Sequence, residues 1–266
     1  MREEEPISSH LLEIPKRAGL LLQDMQKRVQ EIQRAEKDIV TEADLASEAF
    51  IIKSLGVITP NLPIYSEEAG GDLDGATRWI IDPLDGTMNY SQQDDHWGIS
   101  IAYVRDEQVA FGVVNLPALN LFLPVSRRKD GVTNEHSRYS RLNEPEWIRV
   151  NSEPKLTKRA GVWIDWIKGD NDTIVLPLIQ KLLGANLYPG IRVCCTASMA
   201  MVATGKIAAY VQPKPAPEDF PAAALIVEKA GGRVTDLAGN PWSVRSTSIV
   251  ATNGLVHDEL LAVLNR

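Results

Sequence analysis

Apolar residues near the start of the chain recur at spacings of three and four: Leu11, Ile14, Ala18, Leu21, Met25, Val29 and Ile32. That period is the buried stripe of an amphipathic helix, and it predicts one long helix over 11–32. A second helix is predicted over 41–56, begun by Thr41 as N-cap and stopped by Gly56. The pattern then shortens to β-rich runs at 79–82, 98–104, 109–115 and 120–123, with polar 105–108 closing a hairpin. Residues 126–146, around Arg127-Arg128-Lys129-Asp130-Gly131, are almost wholly polar and lack a period, which reads as an exposed loop or a boundary. Beyond them, strands at 147–150, 162–165, 191–194, 208–211, 233–236 and 249–251 alternate with helices at 173–183, 197–204, 221–230 and 257–264, predicting an α/β second half. The division expected is an N-terminal α+β part over 1–146 and a C-terminal α/β part over 147–266.

Composition narrows the function classes. With 266 residues, 44% apolar and 24% charged, the chain can bury a large core and matches neither disordered nor fibrous compositions. Lys and Arg number 28 against 35 Asp and Glu, so the net charge of −7 has the wrong sign for unspecific attraction to nucleic acid or anionic lipid. The acidic opening has no apolar core after it and no apolar run nears about 18 residues, so a cytoplasmic protein without a membrane span is expected. Cys194 and Cys195 are the only cysteines and are adjacent, which excludes a disulfide framework or a Cys-based zinc site; both read as small buried hydrophobes.

The densest chemical signal is Trp79-Ile80-Ile81-Asp82-Pro83-Leu84-Asp85-Gly86-Thr87-Met88-Asn89-Tyr90. An apolar run delivers Asp82 at its carboxyl end, Pro83 is expected to stop the strand there, and two carboxylates arrive on one tight turn. A helix starting at Gly86-Thr87 would turn backbone N–H groups toward an anion such as phosphate. Asp-Pro and Asp-Gly are also ordinary turn formers, so this segment alone is ambiguous. Three further acidic segments share that ambiguity. Glu67-Glu68 precede a glycine turn. Asp44 follows Thr41 where a capping box would sit. Asp219 lies just before a proline suited to a first helical turn.

Taken together and in order, Asp38-x-Val40-Thr41-x-x-Asp44, Glu67-Glu68, Trp79-Ile-Ile-Asp82-Pro83-Leu84-Asp85-Gly86-Thr87-x-Asn89-Tyr90, and Asp219-x-x-Ala222-Ala223 with Glu228-x-Ala230-Gly231-Gly232 resemble the motifs of the inositol monophosphatase family. The resemblance runs over about residues 11–264. It implies a layered α-β-α-β-α sugar-phosphatase fold with a mainly antiparallel N-terminal sheet and a smaller C-terminal α/β part. It also implies two or three Mg2+ ions per active site, inhibition by lithium, and a homodimer. On this chain the family's ligands fall on Glu67, Asp82 and the Leu84 carbonyl for one ion, and on Asp82, Asp85 and Asp219 for a second, so that Asp82 would bridge. Hard oxygen donors of this kind suit Mg2+.

The reaction implied is hydrolysis of a small phosphomonoester by a metal-activated water. Asp44 and Thr87 would orient that water with Glu67 assisting, while Asp85, Gly86, Thr87, Ala197 and Gln212 would meet phosphate or substrate. Of the four histidines, His96 lies nearest the motif and reads as structural or rim. Three departures touch the substrate wall: Gln212 stands where inositol-specific members usually carry Glu, Cys195-Thr196-Ala197 replaces Gly-Thr-Ala, and Glu218 replaces a Trp. The substrate expected is inositol monophosphate. The alternatives are fructose 1,6-bisphosphate, histidinol phosphate, adenosine 3',5'-bisphosphate or NADP, and a degenerate member retained as a binding protein.

Overall fold

Trp79, Ile80 and Ile81 are consecutive and all buried, which a strand permits only when helices cover both faces of its sheet. That is their setting in the computed structural model, which describes residues 9–27, 33–34, 39–40, 42–127, 138–141, 144–167 and 169–266. In chain order the first half comprises α1 (Ser9–Gln26), β1 (Gln33–Arg34), β2 (Ile39–Val40), α2 (Glu42–Ile58), β3 (Ile64–Ser66), β4 (Thr77–Asp85), α3 (Thr87–Ser91), β5 (Gly98–Arg105), β6 (Gln108–Leu116) and β7 (Leu121–Ser126). The second comprises β8 (Arg138–Arg141), β9 (Glu144–Trp147), β10 (Val162–Ile164), α4 (Leu176–Gly184), α5 (Cys195–Ala203), β11 (Ala209–Pro213), α6 (Pro221–Lys229), β12 (Arg233–Thr235), β13 (Ser248–Thr252) and α7 (His257–Leu264).

Strands β3-β4-β5-β6-β7 form a five-stranded sheet, antiparallel except for β3 against β4. Strands β10-β11-β13-β12 form a four-stranded sheet in which only β10 and β11 are parallel. Period-two alternation splits the larger sheet's side chains between two cores. Trp79, Ile81, Ile99 and Ile101 meet Leu11, Ile14, Leu22, Ile51 and Leu55 of α1 and α2. On the opposite face Ile80, Ala102, Val114 and Leu123 meet Met199, Val202, Ala223 and Ile226 of α5 and α6. Those two helices also cover Tyr210, Ile249 and Ala251 of the smaller sheet, whose outer face packs on α4 and α7 through Leu178, Leu182, Leu260 and Val263. The result is the α-β-α-β-α layering expected. Gly112 permits the close approach of α6, since a Cβ there would stand 3.0 Å from the Ala222 backbone.

Several expectations need correction. Helix α1 ends at Gln26, and Val29 and Ile32 lie outside the described residues, as do Asp38, Thr41 and most of 126–146. Helix α2 runs two residues past Gly56, whose Cβ position is open space, so nothing there forces a stop. Pro83 does not end β4: the pairing resumes after a bulge between Asp82↔Ser100 and Asp85↔Gly98. Of the strand expected over 147–150 only Trp147 pairs, as the last residue of a hairpin, β8 with β9, that otherwise falls within the segment read as loop. No strand forms over 191–194, because the amides of Arg192, Val193 and Cys194 turn to the Asp165 carboxylate rather than to a neighbouring strand. The β5–β6 connection is tighter than 105–108, with Asp106 and Glu107 at φ 52° and 61° in a two-residue turn whose twist suits the hairpin. Among the described residues no helix is long and apolar enough to cross a membrane. Cys194 and Cys195 are free and buried, as expected.

Candidate active site

The bulge at the end of β4 creates the site. Pro83 and Leu84 leave the ladder, and Asp82 turns back to accept from the Leu84 amide at 3.0 Å. Asp85 accepts from the Thr196 amide at 2.6 Å, which ties the bulge to the first turn of α5. Gly86 follows at φ 85°, and a Cβ there would stand 2.7 Å from the His96 carbonyl, so only glycine fits without displacement. Thr87 then opens α3, and its hydroxyl lies 2.9 Å from Asp44 Oδ1 and 3.1 Å from the Leu84 carbonyl. Asp44 is buried in the first turn of α2 and serves Thr87.

Helix α2 sets two of the loops. Ser47 donates to the Pro83 carbonyl at 2.8 Å. Buried Glu48 accepts from the Ser66 hydroxyl, the Glu68 amide and the Ala69 amide, clamping the turn that carries Glu67. Neither residue was singled out in the sequence. Their spacing of three and four from Asp44 places all three on one face of α2, which was the available signal. Asp219, just before α6, does not cap that helix; its Oδ2 accepts from the Ala216 amide at 2.8 Å and from Gln212 at 3.3 Å. Ala197 is fully buried and its amide donates to Cys194 Sγ at 3.4 Å. His96 sits at the rim, its Nδ1 2.8 Å from Asp94 and its carbonyl accepting from Asn89.

The carboxylates are electrically one group. Desolvation, then Glu218, Asp85, Glu68 and Asp44, push Glu67 up to about 8, although its loop is open to solvent on one side. Burial and then Glu67, Asp85, Asp219 and Glu218 push Asp82 well above the usual carboxylate range. Burial raises Asp85 to about 6 against the opposing Thr196 hydrogen bond, and burial with Asp85 and Glu218 raises Asp219. The charges acting on Glu67, Asp82 and Asp219 are therefore chiefly one another's, Asp85's and Glu218's, while Asp165 acts on Asp85; all of them are carboxylates. Glu218, noted in the sequence only as a departure, belongs to the cluster and also presses on Tyr65.

Like charges brought this close call for a cation, and carboxylates with a backbone carbonyl are the oxygen donors that Mg2+ takes. Among the described residues no three His, Cys, Asp or Glu side chains are already gathered as a ligand shell; Asp82, Asp85 and Asp219 each rest on a protein N–H. The donor set nonetheless fits the ion in kind and charge.

Comparison with known proteins agrees with the geometry. The model of the inositol monophosphatase family matches residues 3–266. A Thermotoga maritima protein named fructose-1,6-bisphosphatase/inositol-1-monophosphatase is 31% identical over 96% of this chain and 94% of its own. A Mycobacterium tuberculosis histidinol-phosphatase is 30% identical over 85% and 84%. The solved structure of a Thermotoga maritima IMPase superposes with a TM-score of 0.81 at 30% identity, covering 96% of this chain and 94% of that one.

Proposed function

The chain belongs to the inositol monophosphatase family, and from that premise we propose that it is a Mg2+-dependent hydrolase of small sugar or polyol phosphates, with inositol monophosphate as the first candidate substrate. Its class is that of a phosphoric monoester hydrolase, as its relatives' names record. The observation that carries the reading is the cluster of carboxylates that raise one another's pKa, set beside the Thr87–Asp44 pair. Glu67, Asp82, Asp85, Asp219 and the Leu84 carbonyl would hold the ions, which when bound activate a water and stabilise charge on the leaving oxygen. Asp44 accepts the Thr87 hydroxyl proton, so the Thr87 oxygen is left with its lone pairs toward the site and can accept from a water positioned for in-line attack. Gly86 and the start of α3 offer backbone N–H groups to phosphate oxygens, a proposal that follows the family.

A retired binding protein is the poorer reading. Carboxylates that repel one another cost stability, the more so where one of them, Asp82, is buried, and nothing would retain all of them without a cation to hold. The assembly we assign is the homodimer of the family, to be checked by light scattering. The substrate is tested by phosphate release at saturating Mg2+ from inositol monophosphate, fructose 1,6-bisphosphate, histidinol phosphate, adenosine 3',5'-bisphosphate and NADP. The proposal expects the highest kcat/KM for inositol monophosphate, and a tenfold or larger preference for another ester would replace it.

A further inference from the structure

Gln212 stands at the position expected to face substrate, yet it is only 8% exposed and its polar atoms are engaged inside the protein. Its Oε1 meets the Tyr210 hydroxyl and its Nε2 donates to Asp219 Oδ2 at 3.3 Å. Tyr210 is fully buried in β11, and its hydroxyl also lies 2.9 Å from Asp165 Oδ2. Asp165, likewise buried, accepts the amides of Arg192, Val193 and Cys194 and so sets the approach to α5. Val193 is held there at φ 54°, a conformation β-branched residues rarely adopt. From α5, Thr196 returns to both ends of the chain: its amide donates to Asp85 and its hydroxyl to the Asp219 carbonyl at 3.4 Å.

These contacts close into a circuit, Asp85–Thr196–α5–Asp165–Tyr210–Gln212–Asp219, which joins two carboxylates from distant parts of the chain. We propose that Tyr210 and Gln212 are positioning residues that hold Asp219 in register with Asp85 for the cation, so that position 212 acts on the ion site rather than on the substrate. The proposal rests on the metal-dependent reading above. Hydroxyl chemistry explains why Tyr210 matters. Its single proton cannot serve Asp165 and Gln212 at once. Gln212 Oε1 is the nearer of the two oxygens and, with Nε2 on Asp219, can only accept, so the proton goes to Gln212 Oε1, and this keeps the Gln212 amide nitrogen turned toward Asp219. Without the hydroxyl the amide loses its orientation, and Asp219 loses a donor that fixes its Oδ2. A glutamate at 212 could accept from Tyr210 but could not donate to Asp219.

The test is a double-mutant cycle read by Mg2+ binding. Tyr210→Phe deletes one oxygen and keeps the ring in the core; Gln212→Met keeps length and deletes both polar atoms. Calorimetric titration of chelator-treated protein with Mg2+ should give a dissociation constant raised about five- to tenfold in each single variant, the weight of one lost hydrogen bond. The double variant should be no worse than the weaker single one, because both changes break the same circuit. At saturating Mg2+ the KM for the phosphate ester should stay within about twofold of wild type, as expected of a residue that does not bind substrate. Unchanged Mg2+ affinity in the singles, strict additivity in the double, or a KM effect confined to Gln212→Met would overturn the circuit while leaving the phosphatase reading intact. A wild type that binds no Mg2+ would overturn both.

Discussion

Thr87 Oγ1 lies 2.9 Å from Asp44 Oδ1, a hydrogen bond between residues 43 positions apart that come from different motifs. Asp44 is buried at the start of α2, so it is held by the helix while Thr87 is held by the turn after Gly86. Asp44→Asn keeps the shape of the pair and removes the charge that draws the Thr87 proton. kcat should fall about a hundredfold, the lower range for a lost acid–base partner, with Mg2+ affinity changed little. Steady-state kinetics with a parallel Mg2+ titration checks both halves, and a drop in affinity without a drop in kcat would place Asp44 among the ligands instead.

Asp82→Asn tests the bridging assignment. The activity lost should be about a thousandfold, equivalent to about 4 kcal/mol of transition-state stabilisation. The metal-free variant should melt no lower than wild type, because the change relieves repulsion from Glu67, Asp85 and Asp219. Retention of more than about a tenth of the rate would contradict the assignment.

Stability against pH should carry the same signature. Glu67 at about 8 and Asp85 at about 6 both hold protons in the folded, metal-free protein that the unfolded chain gives up above about pH 4. The folded state then binds more protons, so metal-free stability should fall as pH rises from 5 to 8. Saturating Mg2+ displaces those protons and should flatten or reverse the slope. Glu67→Gln should shrink it. Melting curves with and without chelator give the answer, and a metal-free melting temperature that climbs steadily over this range would show that the carboxylates do not crowd one another.

His257 predicts the opposite slope at lower pH. Thr235 donates its proton to the Asp236 carbonyl, so it must accept from His257 Nε2, and Nδ1 in turn accepts from Thr252. The buried ring is therefore neutral, and burial lowers it to about 4. The unfolded chain takes the proton first, so this contribution is whole above pH 6.5 and is lost as pH falls toward 4. His257→Gln should melt with a shallower decline across that window in saturating Mg2+, and an unchanged decline would put the acid sensitivity elsewhere.

The sequence made the helices of the second half legible, α7 over His257–Leu264 to the residue and α4, α5 and α6 within three residues at each end, because each is an apolar run between clear punctuation. The carboxylates were legible because Asp82-Pro83-Leu84-Asp85-Gly86-Thr87 is dense in chemistry. What could not be read was support at long range. Ser47, Glu48, Asp165 and Tyr210 act on backbone or side chains 18 to 45 positions away, and no local period records such partners. The same cause hid the fate of 191–194, whose apolar residues look like a strand until Asp165 takes their amides. Glu218 was visible only as a departure, since its meaning depends on which carboxylates the fold sets around it.

The most direct test of the central claim is phosphate release from inositol monophosphate and its alternatives by protein stripped with chelator, then supplied with Mg2+. Stripped protein should release none above background, and Mg2+ alone should restore turnover on at least one ester. Equal rates with and without excess chelator would contradict the account.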